Sequence, residues 1–541
     1  MQIFNNKKRW GLILTCLITF FAYNQLITPD IMESRNIITA REMVYEGHWL
    51  IPTMNGELRL EKPPLPTWLT AVAELIAPDS LFLQRAMAGL AALLMVFYFY
   101  RFADRILRLR PAWIPTLLLC TCYNVILMGR TASWDIYCHA FMMAGIYHFA
   151  CGYKAPHAAW GHFVAAGLWT ALSIMSKGPV SPYALFLPFL ISLHALGGGT
   201  LRGKLKPLFT MILLALVIGG AWYAYIRIAA PEASDYVARK ESGSWINHNV
   251  RPWWYYWQFF LEAGVWSLLL LTATFYPLIE RASRRWQEYR FAWTWMIASL
   301  ILLSLMPEKK ARYLLPLLIP ASLLMGALVI RWGQTMQQRF TRRAFRLNVG
   351  LLVAVVALLP VAAWVYLYQA GSVGFWGCLL YTVVAELIAW LLYRSMQRLQ
   401  PYRMVLAVTG LFLFAECAVL PATKPLINFT QGNSIAQTRT MTELEQIPFY
   451  HDENTPLRIE LVYAAHRHIR PLDFTQPDSV LTHLPCAVLT HQPVGETLPE
   501  ALLAQVECQY IGLFDDNRRP KGNRRYSDDF IYHLTVLYPK R

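Results

Sequence analysis

Charge is what this sequence has least of. Of 541 residues 15% are charged and 56% hydrophobic, whereas soluble chains carry about 25% charged residues. With a mean hydropathy of +0.33, this excludes an ordinary water-soluble enzyme, a disordered chain and a coiled coil. Acids are scarcer than bases, 33 Asp+Glu against 49 Lys+Arg, for a net charge of +16. In a soluble protein that excess points to nucleic acid; in a membrane chain it collects in cytoplasmic loops. A P-loop, a GxGxxG after a strand, an HExxH and a nucleophile elbow are all missing, so nucleotide use has no support. Of nine cysteines, Cys16, Cys120, Cys122, Cys138, Cys151, Cys378 and Cys417 sit in apolar runs, where cysteine is small filler. Cys486 and Cys508 lie in a polar stretch where a disulfide and simple packing are both open.

What is abundant is the long apolar run. Thirteen runs reach, or nearly reach, the ~17–25 residues a spanning helix needs: 10–27, 80–99, 112–128, 136–152, 161–176, 179–196, 208–228, 257–279, 292–306, 313–330, 347–368, 375–393 and 404–421. The first reads as an uncleaved anchor, because FAYNQLITPD carries no small-x-small cleavage site. With the N-terminus in the cytoplasm, the loops 101–110, 197–206, 280–290, 331–346 and 393–403, together with Lys7, Lys8, Arg9 and Lys154, hold about 23 Lys/Arg on that side. The acid-rich first loop falls outside. Orientation chosen at random would not gather every basic loop on one face.

Two outer loops are more than turns. In 28–79, ESRNIITAREMVYEGHW has helical periodicity and predicts a helix on the membrane surface; Pro63, Pro64 and Pro66 then forbid an uninterrupted helix. Residues 229–256 end in NHNVRPWWYYW, an aromatic cluster that an interfacial belt would also explain. Residues 1–421 therefore form a membrane domain. Residues 422–541 are polar and predict a small outer α/β domain, with LRIELVY, CAVLT, CQYIGLF and FIYHLTVLY as strands and LPEALLAQV as a short helix.

Charges near the outer face are costly unless hydrated, paired or functional. The topology brings several to that face: Asp30, Glu33, Arg35, Glu61 and Lys62 in the first loop, Asp135 opening the fourth run, and Lys177 after the fifth. His248 and Arg251 in the second loop, and Lys309, Lys310, Arg312 and Tyr313 before the tenth run, complete the set. Cations bind phosphate oxygens and a carboxylate orients or deprotonates an acceptor, so the set suits a substrate with a phosphate head and a lipid tail. Each residue also has a plain role. Glu61–Lys62 makes a local ion pair, Asp135 a helix cap, Lys177 a snorkelling lysine and His248 a surface histidine. Glu61 and His248 alone are too few for zinc. Glu386, mid-run in YTVVAELIAW, is expected to pair inside the bundle or face a cavity.

The segment ESRNIITAREMVYEGHWLIPTMNGELRLEKPPLPTWLTA resembles the first periplasmic loop of bacterial aminoarabinose–lipid A transferases, which stand with the protein O-mannosyltransferases in the GT-C fold (glycosyltransferase family 39 and relatives). Asp135, Lys177 and RYLLPLLIP follow in that family's order. The resemblance implies a polytopic α-helical membrane protein of about thirteen spans with a C-terminal periplasmic α/β domain, in the cell inner membrane. It implies a sugar donor on polyprenyl phosphate and transfer with inversion. Lys62 then matches the lysine that binds the donor phosphate. Arg35, Lys177 and Tyr313 match positions around the donor, with Arg312 and Arg251 nearby, and Asp135 matches a cavity aspartate. Glu61 matches a glutamate linked to metal or loop ordering, with His248 as its partner and zinc as the cofactor left open.

One position departs from the family. The usual Asp-Glu reads Met32-Glu33, which leaves Glu33 or Asp30 to act as a base. A hydroxyl acceptor needs that base; a phosphate acceptor, already anionic, needs it less. The expected partners are therefore the lipid-linked donor, membrane lipids, and lipid A or a related glycolipid as acceptor, with protein Ser/Thr the alternative; nucleic acid is not among them. A transporter of a lipid-linked substrate is the reading from another class, but such folds show paired repeats with broken midplane helices, and none is visible here. A non-catalytic assembly protein is the third.

Overall fold

The computed structural model describes residues 2–280, 286–427 and 433–540. Part of the basic loop 280–290 therefore lies outside the described residues. The chain divides into two compact units: residues 1–26 with 60–423, and residues 27–59 with 424–541. The break after Thr423 falls close to the composition change at 421/422. Residues 27–59, expected to belong with the membrane domain, group instead with the C-terminal residues.

The first unit is helical: α1 (Gln2–Phe21), then, after α2 (Ile31–Tyr45) of the other unit, α3 (Leu65–Ile76), α4 (Leu81–Arg101), α5 (Trp113–Cys120), α6 (Tyr123–Gly129), α7 (Trp134–Lys154), α8 (Trp160–Lys177), α9 (Leu187–Leu196) and α10 (Leu205–Ala229). It continues with α11 (Pro231–Asn247), α12 (Ser267–Ile279), α13 (Gln287–Leu305), α14 (Leu315–Thr335), α15 (Arg339–Ala362), α16 (Phe375–Gln397) and α17 (Pro401–Phe414). Every apolar run carries helix. Among the described residues, seven helical stretches are long and apolar enough to cross a membrane by length and composition. This is a multi-pass membrane architecture.

The packing separates core helices from lipid-facing ones. In α14 nearly every residue from Leu315 to Trp332 is buried. By contrast Leu347, Leu351, Val355 and Leu358 of α15 are exposed, one apolar face that only hydrocarbon would cover. Small residues bring helices together. A Cβ on Gly167 of α8 would sit 2.7 Å from the Met211 carbonyl of α10, and one on Gly326 of α14 would sit 2.4 Å from Pro115 of α5. Close backbone approach is how helices associate where the surroundings are as apolar as their side chains. The run 112–128 is two helices, not one. The Thr121 hydroxyl donates to the Leu117 carbonyl at 2.6 Å and accepts from the Trp266 indole at 2.8 Å. Glu386, expected inside the bundle, is exposed on α16.

The three prolines after Lys62 act as a start signal. Pro64 caps α3 and Pro66 occupies its first turn, where the absent N–H costs nothing.

The second unit is a five-stranded sheet in the order β4-β3-β5-β7-β6, with β3 (Phe449–Asp452), β4 (Ile469–Leu472), β5 (Cys486–Thr490), β6 (Val506–Asp515) and β7 (Ile531–Pro539). β3 pairs parallel with β4 and β5; β7 runs antiparallel to β5 and β6. Both faces are covered. Ala487 and Leu489 enter one core, Cys486 and Val488 the other, so CAVLT is apolar throughout although its side chains alternate.

Two expectations change here. LRIELVY holds a helix, Ile459–Ala465, not a strand; Leu461, Val462 and Ala465 form its buried face, a pattern that short runs do not separate from alternation. The first-loop helix exists as α2, but ten of its residues are buried and Ile38 joins the core with Phe449, Leu461 and Leu534. It packs within this unit instead of lying on lipid. Next to it, β1 (Thr53–Met54) and β2 (Glu57–Leu58) form a hairpin. Its turn residues Asn55 and Gly56 take φ of 60° and 80°, the left-handed pair that an Asn-Gly turn supplies. Cys486 and Cys508 both stand opposite Leu537, on the two sides of β7. Two strand spacings, about 9.5 Å, exceed the reach of a disulfide, and both cysteines are free.

Candidate functional site

In the helical unit the charged residues gather where α3, α7, α8, α11 and α14 begin or end. Asp135 lies in the first turn of α7 and is 2% exposed. Lys177, last residue of α8, forms a buried ion pair with it. The ammonium of Lys177 also lies 4.9 Å from the centre of the Tyr313 ring, a cation–π contact. Arg312 is within electrostatic reach of Asp135, and its Nε is buried without a hydrogen-bond partner. One carboxylate is thus surrounded by two cations and an aromatic ring, and a donor nitrogen is left over.

Lys62 stands beside this group, close enough to Lys177 for mutual repulsion. Its ammonium donates to Glu241 Oε2 of α11 at 3.0 Å. Burial holds its pKa below the ordinary lysine value, and Glu241 partly offsets that. Glu61 pairs instead with Lys240, 3.6 Å away. A rim is built on Glu308: Lys310 at 2.5 Å, His248 at 3.6 Å and the Tyr313 hydroxyl at 3.5 Å. Backbone bonds from Arg251 to Pro307 and from Lys309 to Asn249 stitch the second loop to the segment before α14. The Arg251 side chain is exposed. Tyr256, from the aromatic cluster, is buried and accepts from the Lys310 amide at 2.9 Å, so this tyrosine is a structural clamp; Trp253, Trp254 and Trp257 are exposed.

Glu61 and His248 do not converge on a common point. Glu61 is on Lys240 and His248 on Glu308, and among the described residues the two share no group of three His, Cys, Asp or Glu. These residues do not fit a metal.

Asp30, Glu33 and Arg35 belong to the second unit. Asp30 caps α2, accepting from the Met32 and Glu33 amides at 2.8 and 2.9 Å. Glu33 is buried, and the Arg35 Nε is buried without a hydrogen-bond partner. Both carboxylates act electrostatically on Arg518, whose guanidinium donates to the Pro29 carbonyl at 2.5 Å. Glu241, Glu308 and His139 were not singled out from sequence. His139 follows Asp135 by one turn, and its Nδ1 bonds Ser181 at 2.9 Å; the four-residue step was the available signal. Glu241 had none, because its pairing with Lys62 spans 179 residues.

An apolar cavity of about 690 Å³ lies between Trp257–Phe260 and α12–α13, lined also by Phe275, Trp293 and Ile297.

Sequence and structure comparisons agree with this architecture. The family model for dolichyl-phosphate-mannose-protein mannosyltransferases matches residues 61–223. An undecaprenyl phosphate-α-4-amino-4-deoxy-L-arabinose arabinosyl transferase of Pseudomonas fluorescens Pf0-1 is 28% identical over 441 residues, 77% of this chain and 74% of that protein. Its counterpart in Shewanella sediminis is 25% identical over 364 residues, 64% of this chain and 62% of that protein. The crystal structure of ArnT from Cupriavidus metallidurans bound to undecaprenyl phosphate superposes with a TM-score of 0.68 over 97% of each chain, at 18% identity. By these likenesses the chain is a multi-pass membrane glycosyltransferase, with the fold that ArnT shows. Within that class it is ArnT-like in sequence and in fold.

Proposed function

We propose that the chain moves a sugar, aminoarabinose or a similar pentose or hexose, from a polyprenyl-phosphate donor to lipid A or a related glycolipid at the periplasmic face of the inner membrane. The observation that carries this is the buried Lys177–Asp135 pair with Arg312 in reach of the same carboxylate, and Lys62, held by Glu241, close enough to act on Lys177. Excess positive charge at helix ends, with an unpartnered guanidinium nitrogen, suits a phosphate diester. The apolar cavity beside Trp257 offers hydrocarbon lining for a prenyl tail.

In this reading Lys62, Lys177 and Arg312 hold the donor phosphate and stabilise the charge it gains as the bond to the anomeric carbon breaks. Asp135, already paired, fixes the Lys177 ammonium and is a positioning residue. An acceptor oxygen attacks the opposite side of the anomeric carbon, which inverts it. A phosphate on the acceptor needs little proton removal, consistent with Asp30 serving as a helix cap. Tyr313 and Arg251 line the donor in this scheme. The basic loops support an orientation with the N-terminus in the cytoplasm and residues 422–541 in the periplasm.

The test is transfer of radiolabelled sugar from undecaprenyl phosphate to lipid A in membranes containing wild type, Lys62→Ala or Asp135→Ala. Both substitutions are expected to lower transfer at least 100-fold. Unchanged transfer in both overturns the site.

A further inference from the structure

The second unit holds a cluster that the transfer reaction does not use. Glu42 and Glu46 lie one turn apart where α2 ends, so their carboxylates share a face. His468, immediately before edge strand β4, comes to that face from far along the chain. Its Nε2 is 2.6 Å from Glu46 Oε1, and its Nδ1 is 3.8 Å from Glu42 Oε1. One ligand atom from each of the three lies within 4.8 Å of the others. Among the described residues, this is the one group of three His, Cys, Asp or Glu so arranged. His48 stands next to it, with Nδ1 3.8 Å from Glu46 Oε2.

We propose that Glu42, Glu46 and His468 bind a divalent metal of the zinc class, which fastens α2 and its hairpin to the edge of the C-terminal sheet.

Three observations support this. The Nδ1 of His468 is buried and has no hydrogen-bond partner, a lone nitrogen facing a carboxylate. Glu42 is 4% exposed and its carboxylate is already aimed: it accepts from the Thr53 hydroxyl and from the Asn55 amide, each at 2.5 Å. Ligand carboxylates and imidazoles are characteristically held from behind in this way. Lastly, the turn glycine Gly56, at a φ of +80° that excludes most side chains, leaves the approach to Nδ1 open: a Cβ there would stand 3.7 Å from that nitrogen. Two ligands on one tetrahedral zinc, each about 2.0–2.2 Å from it, are about 3.4 Å apart. The Glu42–His468 separation of 3.8 Å is close to this, which makes Nδ1 the ligand nitrogen; the Glu46 carboxylate, now on Nε2, would turn to join it. Two carboxylates and an imidazole leave a fourth position for His48 or water.

The same hairpin is docked by Asn55, whose side-chain amide donates to the Ile469 carbonyl at 2.6 Å and accepts from the Ile469 amide at 2.8 Å. A metal would close the adjoining corner and bridge residues 422 positions apart.

The experiment uses the full chain in detergent, stripped with a chelator and titrated with zinc alone. The metal retained after desalting is measured for wild type, His468→Ala and Glu46→Gln. Wild type is expected to keep one equivalent more than His468→Ala. Glu46→Gln, a change at an exposed residue that leaves the fold intact, should weaken zinc binding at least tenfold. Cobalt substitution should give a spectrum without thiolate charge-transfer bands, which separates this site from the cysteines. Equal retention in all three proteins, or uptake by wild type only at millimolar zinc, overturns the proposal. Transfer activity is not a readout, so failure here is separable from failure of the proposed reaction.

Discussion

Replacing Lys177 or Asp135 tests whether their contact organises the site. The side chains are 8% and 3% exposed, so neither remaining charge can be rehydrated in place. Removing one member of a buried pair typically costs about 3–5 kcal/mol, whereas replacing both by neutral groups is nearly neutral. The two single changes are unequal. Lys177→Met leaves Asp135 with Arg312 still in reach. Asp135→Asn leaves Lys177 and Arg312 without the carboxylate they share, while Lys62 keeps Glu241 and the Tyr313 ring still attracts Lys177. The expected order of thermal stability in detergent is wild type, then the double variant, then Lys177→Met, with Asp135→Asn last. With each single change costing about 3 kcal/mol or more and the double nearly neutral, the cycle should yield a coupling of about 6 kcal/mol or more. Transfer activity should be lost in all three variants, the double included, because its folded site lacks the Lys177 ammonium for the phosphate. Single variants within about 0.5 kcal/mol of wild type would refute the reasoning, since exposed pairs behave in that way.

Further outcomes follow from the same geometry. Because burial lowers the Lys62 pKa and Glu241 raises it, the ammonium is lost as pH rises through a value below that of an ordinary lysine. Donor binding, measured by inhibition with undecaprenyl phosphate, should weaken over that range, and Glu241→Gln should move the weakening to lower pH. The sign for stability is opposite: folding disfavours the charged form, so the Lys62 contribution improves as pH rises from the folded value toward about 10.5. Gly167→Ala, which drives a methyl against the Met211 carbonyl, should destabilise by about 1–3 kcal/mol, visible as a lower unfolding temperature. Asn55→Ala removes two hydrogen bonds to Ile469, about 1–3 kcal/mol together; limited proteolysis should then cut within residues 46–59 sooner than in wild type.

The sequence by itself determined the membrane class, because about twenty apolar residues in a row have few other uses, and each of the thirteen runs carries helix. It also determined which charges stand at one end of those helices: Asp135, Lys177, Arg312 and Tyr313 could be listed from their places relative to the runs. CAVLT, CQYIGLF and FIYHLTVLY were legible as strands because β-branched and aromatic residues are concentrated in them. Pairing was decided elsewhere. Glu241 meets Lys62 across 179 residues, and His468 meets Glu46 across 422, separations at which no periodicity applies. The same holds for α2. Its amphipathic pattern fits a lipid surface and a protein core equally well, because both offer only an apolar face. Tertiary packing against Leu461 and Phe449 chose the core, and with it the assignment of residues 27–59 to the C-terminal unit.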